Sequence, residues 1–415
     1  DATIPHRANY RQCPTQIDAP QGRFSLTIHS DKPTVYCDSK PLSTQPFRPF
    51  PVSNQHTMSY QIAVLKGDGI GPDVVDEALR VLDASGGPEL TFSEYPSGAN
   101  CFKQLGTPLP DDSVAACRQA DAVLLGAMGL PDVRWPDGTE MRPQVDLRFL
   151  LDLYAGVRPI YLYHADHSPL KGYGVGEIDF VLLRENVEGL FASMNGGIQL
   201  RNETAVDSMV ITRTGTQRIA KYAFELAQQR CAERADQSPG HVTCVDKANI
   251  FRSMAFFRQV FDEVATGYSQ IDVSHAYVDA MAMYLVRQPE AYDVLVAENM
   301  FGDILSDLAA GLVGGLGMAP SADIGTDAAV FQPVHGTAPD IAGKGIANPV
   351  GTILSAAMMW RWLGHRHTDA DALAAGERIE AAVRIVMAEK GATTPDLGGK
   401  MTTHELGSAI ADACN

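Results

Sequence analysis

Glu298-Asn299-Met300-Phe301-Gly302-Asp303-Ile304-Leu305-Ser306-Asp307 follows directly on the apolar run Asp293-Val294-Leu295-Val296-Ala297. The run has the length and composition of a buried parallel strand, and the residues after it open a helix rich in Leu and Ala. Asp303 and Asp307 are four apart, so both carboxylates project from one helix face. Their neighbours Ile304, Leu305, Leu308 and Ala309 are apolar. Two like charges on such a face repel and are costly to desolvate, so a cation is expected over them. Oxygen ligands of this kind suit Mg²⁺ or Mn²⁺. An isolated acidic pair is ordinarily a solvated surface; the apolar setting favours the metal.

The same alternation of buried strand and helix extends in both directions. Strands are expected at 62–65, 122–126, 180–183, 209–212, 242–245 and 273–277, and helices at 216–230, 253–265, 348–363 and 371–389. Such alternation predicts α/β architecture with a largely parallel sheet, its ligands gathered at strand C-terminal ends. Between the first strand and its helix lies Gly67-Asp68-Gly69-Ile70-Gly71-Pro72. Pro72 suits the first turn of a helix whose apolar side carries Val74, Val75, Ala78, Leu79 and Leu82. The glycines serve equally as a phosphate cradle or as a plain strand-to-helix turn.

A chain of 415 residues is long enough for two domains. Its formal charge of -17 and pI near 5.0 exclude a nucleic-acid partner, which needs a basic face. An acidic protein that handles an acidic substrate must gather its arginines locally. The seven cysteines fall in no metal-ligand spacing and read as reduced thiols in a reducing, cytoplasmic setting. No apolar run is long enough to span a bilayer, so no membrane role is expected. Residues 1–57 are rich in Pro, Ser, Thr and Gln without periodicity and read as a disordered extension. Met58, just before the first strand, reads as a natural start. A mitochondrial transit peptide is the alternative, but Asp18, Asp31 and Asp38 spoil the acid-poor helix it needs.

Three arginines fall at element ends: Arg148 and Arg158 in a helical piece over 147–158, and Arg184 after 180–183. The planar guanidinium matches a carboxylate bidentately, so a cluster of them is a plausible anion site; ion pairing, for instance Arg158 with Asp152, is the structural alternative. Lys247 in Asp246-Lys247-Ala248-Asn249 stands at a strand's carboxyl end. Near a divalent metal its pKa falls, which suits a general base; otherwise it is an exposed loop lysine. His335-Gly336-Thr337-Ala338-Pro339-Asp340-Ile341 leads to Asn348-Pro349. Small residues ahead of a helix let backbone N–H groups approach a phosphate, and Asp340 can accept from both ribose hydroxyls; alternatively this is a surface loop with Asn348 capping the helix.

Taken together and in this order, the 67–72, 245–249, 299–307 and 335–349 motifs resemble the β-decarboxylating dehydrogenases, the family of 3-isopropylmalate, isocitrate, homoisocitrate and tartrate dehydrogenases, over residues 59–415. The resemblance implies an α/β/α sandwich of two domains, not a standard Rossmann fold. A cofactor-binding domain would comprise 58–153 with 314–415, and a substrate and dimerisation domain 154–313. It implies that Arg148, Arg158 and Arg184 bind malate-type carboxylates. Asp303 and Asp307, with Asp279 from the partner subunit, would hold Mg²⁺ or Mn²⁺, and the partner's Lys247 would take the hydroxyl proton. His335, Gly336, Ala338, Asp340, Ile341, Asn348 and Asn249 would bind NAD, Asp340-Ile341 resembling NAD-using members. A homodimer with shared active sites follows.

Two departures from the family pattern matter. The family's proton-donating tyrosine is replaced by Phe191, which has no proton to give. Where isopropylmalate enzymes carry two leucines, this chain has Gln144 and Val145, with Arg142 beyond, so a polar or anionic C3 group is physically attractive. The expected activity is NAD- and metal-dependent oxidative decarboxylation of a malate-like 2-hydroxy diacid. 3-Isopropylmalate leads by overall resemblance; tartrate, D-malate, homoisocitrate or another polar 3-substituted malate follow. A non-catalytic regulatory subunit is the alternative that Phe191 permits.

Overall fold

The computed structural model describes residues 58–415, apart from Asp137, Asn195, 235–237 and Lys390; the expected 1–57 extension lies outside the described residues. In chain order the strands are β1 (Ser59–Leu65), β2 (Glu89–Glu94), β3 (Ala122–Leu125), β4 (Ala155–Tyr161), β5 (Asp179–Glu185), β6 (Ile198–Leu200), β7 (Thr204–Val206), β8 (His241–Asp246), β9 (Asp272–Tyr277), β10 (Val294–Ala297), β11 (Pro320–Ile324) and β12 (Ala329–Pro333). The helices are α1 (Gly71–Ala84), α2 (Gly98–Leu105), α3 (Asp111–Gln119), α4 (Pro143–Leu150), α5 (Arg213–Glu233), α6 (Arg252–Ala265), α7 (Val278–Arg287), α8 (Asn299–Gly311), α9 (Val350–His367), α10 (Ala370–Ala388) and α11 (Thr403–Ala413).

Ten strands form one sheet in the order β2-β1-β3-β12-β11-β4-β5-β10-β8-β9. The outer blocks, β2-β1-β3-β12 and β5-β10-β8-β9, are parallel as the apolar runs predict. The centre is not: β11 is antiparallel to both β12 and β4, and β4 is antiparallel to β5. The two parallel blocks therefore run in opposite directions; six of the nine pairings in the sheet are parallel, as expected, and the three antiparallel ones lie at its centre.

Both sheet faces are covered, so strand residues alternate between two apolar layers rather than between core and water. On one face a single core runs from Ile62, Val64 and Leu124 through Phe331 and Val157 to Val181, Val294 and Val242, under α1, α9, α10, α5 and α6. On the other face the core is broken. Leu182, Leu295, Ala297 and Val245 pack under α7 and α8 through Met281, Leu285, Leu305 and Ala309. Ala63, Leu65, Val123 and Leu125 pack separately with Leu147 of α4 and Cys117 of α3. Between these bodies the sheet presents polar side chains.

Two local expectations fail for identifiable reasons. The 147–158 segment is not one helix. Helix α4 stops at Leu150, Asp152 adopts a left-handed φ of 50°, and Ala155 begins β4, so Arg158 is a strand residue. Residues 209–212 form no strand beyond the isolated bridge of Val210 to Gly189; they lead into the cap of α5, where Thr212 accepts from Gly215 N–H, and the nearby pairing is the β6-β7 hairpin. The five cysteines among the described residues are free thiols.

Candidate active site

Helix α8 starts where the sequence places it because Glu298, fully buried, caps it: its carboxylate accepts from Phe301 N–H at 2.8 Å and Met300 N–H at 3.2 Å. Gly302 lies on the helix face against β5. A Cβ there would stand 2.8 Å from Cβ of Arg184, so glycine lets the arginine stem pass beneath the helix. Arg184 Nε then donates to Asn299 Oδ1 at 2.9 Å, and Nη1 meets the Asp303 carboxylate. One turn on, Asp307 is exposed and its carboxyl is raised above the ordinary range, by partial burial first and by the neighbouring Asp303 charge second.

These groups line a cavity of about 220 Å³ in the gap between the two separate cores, over the antiparallel centre of the sheet. Arg148 from α4, Arg158 from β4 and Arg184 from β5 face Asp303 and Asp307, with Gln332 and His335 from the end of β12 and Ala127 and Met128 from the end of β3. The cavity thus combines the expected strand C-terminal ends with the faces of β4 and β5. All three arginines are buried, and several of their N–H groups lack a partner among the described residues: Nε and Nη1 of Arg158, and Nη2 of Arg184. Burial, followed by the nearby Arg148 charge, pushes the Arg184 guanidinium down to about 9. Unpaired buried donors of this strength require an acceptor, and two carboxylates on a small acid would supply it.

Arg158 does not pair with Asp152, which instead binds Arg218 at 2.5 Å. The anchor is Asp323 on β11, a residue that sequence reading misses. Its carboxylate takes Arg148 Nε at 2.9 Å and faces Arg158 Nη2 at 3.9 Å. The signal was available: Pro320-Ser321-Ala322-Asp323-Ile324 is an apolar strand carrying one acid.

Phe191 lines the cavity, its ring lying under the Arg184 guanidinium with 4.8 Å to the centroid. Gln144 and Val145 also line it, and Gln144 Oε1 is buried without a partner. Arg142 precedes Pro143 at the start of α4 and is not among the residues that line this cavity.

The glycine turn is a packing device. Gly69 has a left-handed φ of 59°, Ile70 N–H donates to Thr337 O at 2.9 Å, and a Cβ on Gly69 would overlap that carbonyl. The turn grips the 335–341 loop from below. Gly69→Ala should therefore destabilise the protein by about 2–3 kcal/mol, measured by urea unfolding. An unchanged unfolding midpoint would show that the turn does not brace the 335–341 loop. Burial holds the His335 imidazole below its usual range; Nδ1 lies 2.9 Å from Gly336 O, and Nε2 has no partner among the described residues. Gly336, Asp340 and Asn249 are exposed, and Ala338 and Ile341 half-buried. Asn348 is committed to structure: Oδ1 accepts from Val350 N–H at 3.0 Å, and Nδ2 donates to Asp396 at 3.1 Å.

Lys247 and Asp279 pair with one another at 2.6 Å at the ends of β8 and β9, and neither lines the cavity of its own chain. Asp246 is occupied by Arg258, at 2.7 and 2.9 Å. Among the described residues no three acidic, His or Cys side chains cluster tightly enough to hold a metal.

Residues 61–410 match the family model described as isocitrate/isopropylmalate dehydrogenase. The chain belongs to that family. It is 41% identical over 356 residues to the 3-isopropylmalate/3-methylmalate dehydrogenase of Methanocaldococcus jannaschii, covering 85% of this chain and 98% of that protein. The homoisocitrate dehydrogenase of the same organism is 40% identical over 359 residues, covering 84% and 96%. Among solved structures, isocitrate dehydrogenase from Methylococcus capsulatus superposes with a TM-score of 0.75 at 38% identity, covering 86% of this chain and 99% of that one. The apo β-decarboxylating dehydrogenase of Thermococcus kodakarensis gives 0.70 at 40% identity, covering 86% and 96%. This member of the isocitrate/isopropylmalate dehydrogenase family is an oxidatively decarboxylating dehydrogenase with the isopropylmalate dehydrogenase-like fold. Among its described residues no helix is long and apolar enough to cross a membrane.

Proposed function

We propose that the chain is an NAD-dependent, Mg²⁺- or Mn²⁺-dependent cytoplasmic enzyme that oxidatively decarboxylates a malate-like 2-hydroxy diacid, with 3-isopropylmalate the leading substrate. The observation that carries this is the row of unpartnered guanidinium N–H groups on Arg158 and Arg184 facing Asp303 and Asp307 across one cavity. Arg148, Arg158 and Arg184 bind and orient the two carboxylates. Asp303 and Asp307 would hold a divalent cation, which when bound would supply charge compensation and Lewis-acid polarisation of a substrate oxygen. The 335–341 loop, with Asp340, would hold NAD, which would supply the hydride acceptor.

Lys247 removes the C2 hydroxyl proton, and Asp279 completes the acidic set, both across a subunit boundary. Support for that boundary is the apolar surface around the pair: Ile250 is 64% exposed, Phe251 52%, Met283 48%, Val286 44% and Ile304 62%. We assign 58–153 with 314–415 to the cofactor-binding domain and 154–313 to the dimerising one, since the two separate cores on the cavity face fall on either side of that division.

The test is NADH formation by the purified chain with Mg²⁺ and a panel of 2-hydroxy acids, including the diacids 3-isopropylmalate, D-malate and tartrate and the triacid homoisocitrate, with and without chelator. Turnover that survives complete chelation removes the metal assignment; silence with every acid favours the regulatory-subunit reading. Phe191 favours slow enol protonation, because its ring occupies the cavity wall without a transferable proton. Phe191→Tyr should raise ketone release about tenfold or more while leaving the first burst of NADH unchanged, as followed by rapid quench. No gain in ketone release would show that water or another acid already does this work.

A further inference from the structure

Asp323 does not line the cavity; it stands behind it, 1% exposed, with both oxygens engaged. Oδ2 accepts from Arg148 Nε at 2.9 Å and Gln332 Nε2 at 2.6 Å, and Oδ1 accepts from Asn186 Nδ2 at 2.8 Å. Oδ1 also lies 3.9 Å from Arg158 Nη2. Burial alone would raise this carboxyl, but Arg148 and Arg158 hold it below the ordinary range. An anion site that encloses a permanent anion among its own cations weakens its attraction for any incoming acid, so the placement has a consequence for selectivity.

The charges converging on the cavity are the cations Arg148, Arg158 and Arg184 and the anions Asp303, Asp307 and Asp323, which sum to zero. Lys247 and Asp279 are paired with each other and add no net charge for as long as the lysine keeps its proton. A divalent cation leaves two positive charges, which a substrate with two carboxylates neutralises. A third carboxylate would enter with no cation left for it. Without Asp323, the same arginines would accommodate three.

We propose that Asp323 is a positioning residue that fixes the anionic capacity of the pocket at two. The substrate is then a 2-hydroxy diacid whose C3 substituent carries no charge. This rests on the diacid reading above and narrows it: the polar atom offered by Gln144 can meet a neutral group on C3, but a third carboxylate is rejected on charge. Asp323 acts through the two arginines, so its signature is a change in preference between acids.

The test measures binding, without NAD, of a 3-alkylmalate and of the matched malate bearing a carboxylate at C3, by calorimetry with Mn²⁺ present. Wild type should favour the diacid by about tenfold or more. Asp323→Asn keeps the shape and removes the charge, and should move the ratio toward the tricarboxylate by about the same factor, in binding and in the KM ratio more than in kcat. Should Asp323→Asn fail to fold, Asp323→Ser removes the same charge with a smaller side chain outside the cavity lining, and should move the ratio in the same direction. Asn186→Ala removes a hydrogen bond but no charge, and should weaken both acids equally. Equal binding of the two acids by wild type, or an unmoved ratio in both charge variants, overturns the role of Asp323. Absence of binding by any diacid overturns both it and the diacid reading, whereas selective diacid binding without turnover overturns only the latter.

Discussion

Mixing Lys247→Met with Asp307→Asn, each inactive alone, should restore activity. Within one chain Lys247 is held by Asp279 at 2.6 Å and neither lines the cavity that Asp307 lines, and the function proposed above draws them from two copies. On that proposal, removing the lysine as general base costs roughly 10²–10⁴ in rate. Removing a carboxylate from the proposed metal set would cost at least as much. In a mixed dimer one site receives an intact Lys247 from one chain and an intact Asp307 from the other, while its twin receives both lesions. After unfolding and refolding of an equimolar mixture, half of the dimers are mixed and half of their sites are whole, so about a quarter of wild-type activity is expected. The measurement is the initial rate against mixing ratio. A mixture no more active than its parents would place the lysine and the aspartate in one chain, or outside the reaction, and would remove the shared-site reading.

The second large effect is on stability as well as catalysis. Arg148→Met should lower the unfolding free energy by about 3 kcal/mol and abolish measurable turnover, because it leaves the enclosed Asp323 carboxylate without its nearest cation. An exposed ion pair lost in the same way would cost less than about 1 kcal/mol. Adding Asp323→Asn to that variant should recover most of the stability and none of the activity, a strongly non-additive result. Urea midpoints for the two singles and the double decide it. Simple additivity would mean that Gln332, Asn186 and Arg158 already satisfy Asp323 without Arg148.

What could be read from the chain depended on how local the cause was. The α8 aspartates were legible because four-residue spacing and apolar neighbours lie within a dozen positions of each other. The outer strands were legible because strands buried on both faces appear as unbroken apolar runs, such as Val294 to Ala297. The centre of the sheet was not. β4 and β11 run against their neighbours, and nothing in Ala155-Gly156-Val157-Arg158 distinguishes a strand that turns back from the continuation of α4 until Asp152 breaks the helix. Asp323 comes from 175 residues beyond Arg148 in sequence, so its pairing belongs to topology and not to any motif. The Gly67–Gly71 turn was ambiguous for the same reason: its partner, Thr337, arrives from the far end of the domain. Only the family resemblance suggests the roles proposed for Lys247 and Asp279, which a single chain leaves paired with each other.

The unequal cores have a mechanical consequence. The uninterrupted apolar layer behind the sheet joins both halves, while the two bodies in front of it belong to separate cores, so the line between them is the expected place for any opening of the crevice. On the proposed function, an acid bridging Arg148 on one body to the α8 carboxylates on the other would draw the two together. Amides along the crevice should become slower to exchange on substrate binding, while those of the uninterrupted layer keep the rate set by global unfolding.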